Sequence, residues 1–442
     1  MSSTGSAPIA YLMKRYPRLS ETFILNEIAV MEGLGATLEL FSLLPPEPPP
    51  HHPLVADIKA PLHHLPLAKG AKAVALLGAH GRSLRAHPLR YGHAFGRALV
   101  ASLQSRRPLS VWKQFVRAGF VADRCRARGV GLIHAHFANA PAAVAAFASV
   151  MSGIPFSFTT HAKDLYLTSQ RVLRRRVRDA RFITTCTGYN VDYLKGFLPS
   201  SAHDKVHLVY HGIDLNRFSL RPEARPRHGG VPLILSVGRL VPKKGFSDLI
   251  AACALLSEQG IGFQCAIVGE GPLRAELAAD IARRGLDAQV RLIGSMTHAE
   301  LAKFYHEADI FALAPQIIAN GDRDGIPNVI VEAMASGVPV VSTAVSGIPE
   351  VVRNHRTGLL VPSEAPAALA EALRQLIGNP SLGVQMAKAA RALLEAELDC
   401  FETTKRLKAL MVGCACGHDH APSVPAATAL GATALPAPAA GE

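Results

Sequence analysis

Short β-rich runs alternate with longer Ala/Leu-rich segments along most of the chain. Before residue 220 the runs are PIAYLM (8–13), TLELFSLL (37–44), GLIHAH (131–136), FSFTTH (156–161), RFITTCT (181–187) and VHLVYHG (206–212). After it they are PLILSVG (232–238), FQCAIVG (263–269), VRLIG (290–294), DIFALAP (309–315), VPVVST (338–343) and GLLVP (358–362). Helix-like segments such as SETFILNEIAVMEGLG (20–35) and SDLIAACALLSEQG (247–260) intervene. This alternation implies parallel sheets covered by helices on both faces. The polar, Pro- and Gly-containing stretch 215–232 has no clear periodicity and divides the chain. The expected fold is α/β, with two doubly wound, Rossmann-like domains (1–220 and 221–395) facing across a cleft. Residues 396–412 are expected to form a helix that returns to the first domain, and 413–442 a disordered tail. Ligands of open α/β sheets sit beyond the carboxyl ends of the strands, which makes the cleft the expected site.

Residues 45–117 break the pattern. A Pro-rich loop, PPEPPPHHP, leads into a basic Ala/Leu/His-rich segment that reads as a helical insertion. Leu84, Leu89, Phe95, Leu99, Leu103, Trp112 and Phe115 supply its apolar material. Two readings stay open for it, a helical cap on the first domain or a surface that lies on a membrane. No run approaches the roughly 20 apolar residues of a membrane span. The N-terminus has no basic start followed by an apolar core, so no signal peptide is expected.

Charge is uneven. Residues 1–220 hold 27 Lys and Arg against 12 Asp and Glu, and the remainder holds 20 against 22. A basic half beside a near-neutral half suggests an anionic partner. The run RRRVRD (174–179) reads by itself as a solvated face, or as a surface meeting a lipid diphosphate. Seven scattered cysteines fit a reducing compartment better than a disulfide framework. The closely spaced pair in CACGHDH, Cys414 and Cys416, reads as part of the tail rather than as a metal tract.

Chemistry concentrates in the second half. In RDGIPNVIVEAMASGVPVV (323–341), Pro327 suits the first turn of a helix and Gly337 its C-terminal end. The free N–H groups of that helix, about 327–336, then form an anion site near Asp324, Gly325 and Ile326. Upstream, LSVGRLVPKKG (235–245) ends a strand at Gly238 and presents Arg239 and Lys244, a plausible diphosphate clamp. GEGPLR (269–274) lacks the third glycine of a dinucleotide fingerprint, and there is no P-loop, which disfavours dehydrogenase and P-loop kinase readings. Elsewhere, His134 is expected to be structural, and His136 is a candidate for facing the cleft. His161 sits in the polar cluster FTTHAKDLY, where a functional role is favoured. Glu350 is expected to cap the helix that follows it.

Gly238-Arg239 with Lys244-Gly245, then VGEGP (268–272), LIGSMTHAEL (292–301), Asp324 with Glu332-Ala333, and SGIPEVV (346–352) together resemble the retaining glycosyltransferases of family 4, which have the GT-B fold. YLMKRYPRLSETFILNEI (11–28) is similar to a subgroup that builds bacterial exopolysaccharides of the colanic-acid or amylovoran type. The resemblance spans about residues 8–410 and is weakest over 45–117. It implies a nucleoside-diphosphate sugar of UDP or GDP type as co-substrate, with no cofactor and no metal. Arg239 and Lys244 would hold the diphosphate and Glu332 the ribose hydroxyls. Asp324 would bind the donor sugar at the helix N-terminus with Gly325, Ile326 and Pro327. Backbone at Ile293 and Gly294 would meet the base, and His161 would lie beside the sugar.

Ser20, Glu21 and His136 are acceptor-side candidates. The implied partners are a nucleotide sugar, a lipid-linked saccharide and the inner face of the cytoplasmic membrane, with no nucleic acid. The sequence departs from the family where a glutamate is usual: Asp324 is one methylene shorter. Two other readings stand beside this one, a sugar-nucleotide epimerase on the same fold and a non-catalytic scaffold.

Overall fold

The structure, a computed structural model, describes residues 7–18, 21–49, 51–65, 71–221 and 230–415. Among the described residues thirteen strands form two sheets. The first contains β1 (Ile9–Arg15), β2 (Leu38–Leu44), β3 (Leu62–His64), β4 (Leu132–His136), β5 (Phe156–Thr160), β6 (Ile183–Thr185) and β7 (Val206–Leu208), in the order β3-β2-β1-β4-β5-β6-β7. The second contains β8 (Leu233–Val237), β9 (Gln264–Val268), β10 (Val290–Gly294), β11 (Ile310–Leu313), β12 (Val340–Thr343) and β13 (Leu359–Val361), in the order β10-β9-β8-β11-β12-β13. Every pairing is parallel. Strand order reverses between β1 and β4, and again between β8 and β11. These are the switch points at which doubly wound sheets take ligands.

All twelve expected strands are present, because strands buried on both faces read as apolar runs. The one missed, β3, is a three-residue edge strand of sequence Leu-His-His inside the 45–117 segment. Edge strands are commonly this short and this polar. In the first sheet, β1 sends Ala10 and Leu12 to one face and Ile9, Tyr11 and Met13 to the other. The first face is covered by helices 108–127, 140–152 and 170–179. The second is covered by helix 22–33 and by the last described helix, Cys400–Ala415, which inserts Leu407, Leu410 and Met411. Each of these buried side chains contributes roughly 1.5–3 kcal/mol of hydrophobic stabilisation.

Cys414 is buried in that last helix, so the tail begins later than expected; residues 416–442, with the rest of CACGHDH, lie outside the described residues. The 45–117 segment supplies helices 71–86 and 88–103 and the start of 108–127. Its large apolar residues do not face the core as a set. Ala94, Ala98 and Ala101 do, while Leu89 and Leu103 stay 88% and 80% exposed. Small residues let helix 88–103 pack closely and turn its bulky side chains outward. Among the described residues no helix is long and apolar enough to cross a membrane.

The chain passes between the sheets twice, and the two crossings touch. Ile213 N–H donates to the Leu398 carbonyl at 2.8 Å, and Cys400 N–H donates to the Ile213 carbonyl at 3.1 Å. Gly212 (φ 68°) makes this approach possible, since a Cβ there would lie 2.6 Å from Cys400 Cα.

Candidate active site

The site is built where the carboxyl edges of the two sheets meet. After β8 the chain passes Gly238 and Arg239, then makes a single 3-10 turn, Pro242–Lys244. Gly245 ends the turn at φ 65° and starts helix 246–258. A Cβ on Gly245 would sit 1.8 Å from the Ala314 carbonyl oxygen just beyond β11. That contact clamps the turn into the switch point, and Gln316 N–H holds it from the other side by donating to the Lys243 carbonyl at 3.0 Å.

The turn aims two ammonium groups at the loop that leads into helix 328–335. Lys244 Nζ is 2.6 Å from Asp324 Oδ2, and Lys243 Nζ is 3.1 Å from both Asp324 Oδ1 and Asp322 Oδ1. Burial pushes the Asp324 carboxyl up, but Lys244 and Lys243 outweigh it and hold the group below the ordinary carboxylate value. Two lysines face two aspartates here, while Arg239 is exposed and has no ion pair among the described residues. The shorter side chain at 324 is thus fixed by ion pairs, with Lys243 and Asp322 completing the cluster. Arg323 points elsewhere: its guanidinium lies 4.3 Å from the Tyr166 ring centroid and donates to Tyr189 Oη at 3.3 Å.

Helix 328–335 begins one residue later than expected, with Pro327 extended (ψ 125°) in the capping position, and Gly337 closes it at φ 77°. Gly325 and Ile326 approach the first domain; a Cβ on Gly325 would lie 3.5 Å from Thr187. Glu332 lines an interdomain cavity together with Thr22, Phe23, Asn26, His211 and Arg217. Tyr305 Oη donates to Glu332 Oε2 at 3.0 Å. Burial raises the Glu332 carboxyl, opposed by that hydrogen bond and by Arg217. Ile293 and Gly294 end β10 at the same carboxyl edge, with Ile293 exposed.

On the facing domain, His161 directly follows β5 and caps the short helix 162–166. Its Nδ1 lies 3.0 Å from His211 Nε2, its ring packs on Phe23 at 5.0 Å, and its Nε2 is buried without a partner. Asp164 fixes the backbone by accepting from His161 N–H at 3.0 Å. His134 is structural as expected, hydrogen-bonded to Ser157 and Thr159 at 2.8 and 3.0 Å.

Three expectations need correction. His136 does not face the cleft: it is fully buried, 3.3 Å from Glu27 and stacked behind His161. Glu21 turns away to pair with Arg18 at 2.6 Å, so Thr22, Phe23 and Asn26 line the cavity instead; Ser20 lies outside the described residues. Glu350 does cap a helix, but one in the other domain. Its carboxylate accepts from Gly188 N–H (2.8 Å), Tyr189 N–H (3.0 Å) and Tyr210 Oη (2.7 Å).

Lys243, Tyr305 and His211 escaped the sequence reading. Lys243 was signalled by its neighbour Lys244. His211 was masked by its place at the end of an apparent strand.

Among the described residues two groups of side chains bring metal-ligating atoms within 4.8 Å of one another: His161, Cys186 and His211, and Glu27, His134 and His136. In the first, burial, and then Asp164 and Glu350, push the Cys186 thiol up to about 12. In the second, Glu27 is already engaged by His136 and by Tyr11 Oη at 2.8 Å.

Burial moves the His211 imidazole down to about 4 and His161 in the same direction. Between about 6.5, the unfolded value, and about 4, the unfolded chain holds a proton that folded His211 does not. Stability therefore rises with pH across this window. Acidifying from about pH 7 to about pH 5 should lower Tm, and His211→Gln should flatten that slope. An unchanged slope in H211Q would show that His211 is not the group responsible.

Two facing Rossmann-type domains, with a cationic turn and a carboxylate-bearing helix at the switch point of one, define the GT-B fold. A family model described as Glycosyltransferase Family 4 matches residues 21–217, and one described as glycosyl transferases group 1 matches 221–393. The putative colanic acid biosynthesis glycosyltransferase WcaL of Escherichia coli (strain K12) is 31% identical over 388 residues, spanning 83% of this chain and 89% of its own. The amylovoran biosynthesis glycosyltransferase AmsK of Erwinia amylovora is 29% identical over 410 residues, spanning 88% and 96%. Among solved structures, Anabaena Alr3699/HepE in complex with UDP superposes with a TM-score of 0.67 at 19% identity, over 91% of this chain and 98% of that one. The chain belongs to family 4 of the glycosyltransferases.

Proposed function

We propose that this glycosyltransferase moves a sugar from a UDP- or GDP-linked donor to a lipid-linked saccharide during exopolysaccharide assembly, at the inner face of the membrane, with retention of anomeric configuration and without a metal ion. The observation that carries this reading is the turn at 239–245. It puts Lys243 and Lys244 against Asp324, and leaves Arg239 uncompensated, at a sheet switch point. The biosynthetic context is supported by the names of the amylovoran and colanic acid relatives.

Glycosyl transfer develops negative charge on the departing diphosphate, and fixed donors aimed at that charge supply the largest catalytic contribution. Arg239 and Lys244 fill this role. Asp324 and the N–H groups at the start of helix 328–335 bind the donor sugar beside Gly325, Ile326 and Pro327. Glu332, oriented by Tyr305, accepts from the ribose hydroxyls, and the Ile293–Gly294 backbone meets the base. His161 lies beside the sugar. The acceptor attacks the face from which the diphosphate leaves, and a diphosphate oxygen takes its proton.

Thermal unfolding in EDTA with UDP, GDP or ADP tests the donor site. Saturation at 100 times the dissociation constant adds about 2.7 kcal/mol, so one nucleotide should raise Tm selectively. No rise with any of them overturns the donor site. With a competent donor and acceptor, an inverted anomeric signal in the product NMR spectrum overturns retention, and conversion of the donor sugar without acceptor points to an epimerase.

A further inference from the structure

Helix 170–179 carries arginine at 171, 174, 175 and 178, spaced i, i+3, i+4, i+7, so that all four stand on one face while Leu173 and Val177 anchor the other. Like charges at these spacings weaken a helix, and the helix alone gains nothing from the stripe. It faces an open groove of about 1440 Å³ between this helix, helix 88–103 and the start of helix 108–127. Ten of the side chains lining the groove are Lys or Arg, and a single acid, Asp179, answers them. Asp179 is already shared by Arg97 and Arg178. Arg107 and Arg171 have no ion pair among the described residues. Burial, and then the neighbouring Arg97 charge, hold Arg175 below the usual guanidinium value.

The inner wall is apolar, formed by Val111, Ala143, Ala146 and Phe147. Leu103 and Leu109, next in sequence to the groove-lining Gln104 and Ser110, stand 80% and 75% exposed. One end reaches Lys14, Asn139 and Leu167, at the carboxyl edge of β1, β4 and β5, the edge that carries His161.

We infer that this groove is a second anion site, distinct from the donor site, that holds the diphosphate of an isoprenoid-type lipid carrier: the arginine stripe takes the phosphates, and the apolar wall and lip take the first part of the hydrocarbon chain. The stripe spans eight residues, 171–178, roughly 10 Å of helix, which is longer than one phosphate and suits two linked ones. A carrier seated here directs its saccharide toward the carboxyl edge and the cleft. Calling the ligand the acceptor rests on the glycosyltransferase reading above; the anion site does not.

Farnesyl diphosphate is a soluble probe, and the chain's one tryptophan, Trp112, adjoins the groove-lining Val111. Titration of the full chain should change Trp112 fluorescence with farnesyl diphosphate, and more weakly with farnesol or pyrophosphate. The exposed double variant R171A/R175A should weaken farnesyl diphosphate binding about 10- to 100-fold while keeping the Tm rise given by the donor nucleotide. Equal affinity in the variant, or no preference for farnesyl diphosphate over farnesol, overturns the site. Capture of the chain by phosphatidylglycerol vesicles through these arginines, with no binding of farnesyl diphosphate, also overturns it, in favour of a contact with the membrane surface. A lost nucleotide response in the unaltered chain would instead remove the donor reading.

Discussion

Lys244→Ala lowers kcat by about 10²–10³-fold, the usual cost of removing one fixed donor from developing charge, with a smaller change in KM. The split follows from the geometry. In the free protein Lys244 is balanced by Asp324 at 2.6 Å. Its attraction for a ground-state diphosphate is partly spent on that pair, and it strengthens as the leaving group gathers charge. Removing Lys244 leaves Asp324 with Lys243 alone at 3.1 Å, which also loosens the carboxylate proposed to bind the donor sugar. Steady-state kinetics at saturating donor, beside a melting curve to confirm folding, checks this. A kcat within about threefold of the parent in folded protein would remove Lys244 from the diphosphate site.

Gly245→Ala is expected to be the most damaging single-methyl change near the site, costing about 3 kcal/mol or more. The left-handed backbone alone costs an alanine roughly 1–2 kcal/mol. The remainder comes from the Ala314 carbonyl, 1.8 Å from the new carbon and part of a switch-point strand end that cannot move without shifting β11. Gly260 is the matched control: it has φ 71° but nothing within 4 Å of a Cβ, so Gly260→Ala should show only the backbone cost. Calorimetry should place G245A about 6–12 °C below the parent and G260A much closer to it. Equal Tm values for the two variants would mean that the turn is not clamped against β11.

How far the sequence is readable depends on which force fixes each element. Buried parallel strands announce themselves by composition, so both sheets and the α/β class are legible. So are Asp324 and Glu332, because one helix start fixes their spacing. Glu350 shows the limit. Its place after Gly347 and Pro349 reads as a local cap, but its partners Gly188, Tyr189 and Tyr210 lie 140 or more positions away. Nothing local encodes a contact between domains. His136 fails for a related reason: strand alternation gives the face of a side chain but not whether another ring covers it. In the 45–117 segment large apolar residues suggest a core; Phe115 does enter it, but helix 88–103 makes its contact through alanines while Leu89 and Leu103 stay exposed.

The two chain crossings at Ile213 and Asp399 are hydrogen-bonded side by side as a short parallel ribbon. A single linker would act as a swivel. A paired ribbon resists twisting, because torsion must stretch one crossing against the other, whereas bending flexes both together. Opening of the cleft is thus mechanically a door on a two-knuckle hinge with one soft angular coordinate.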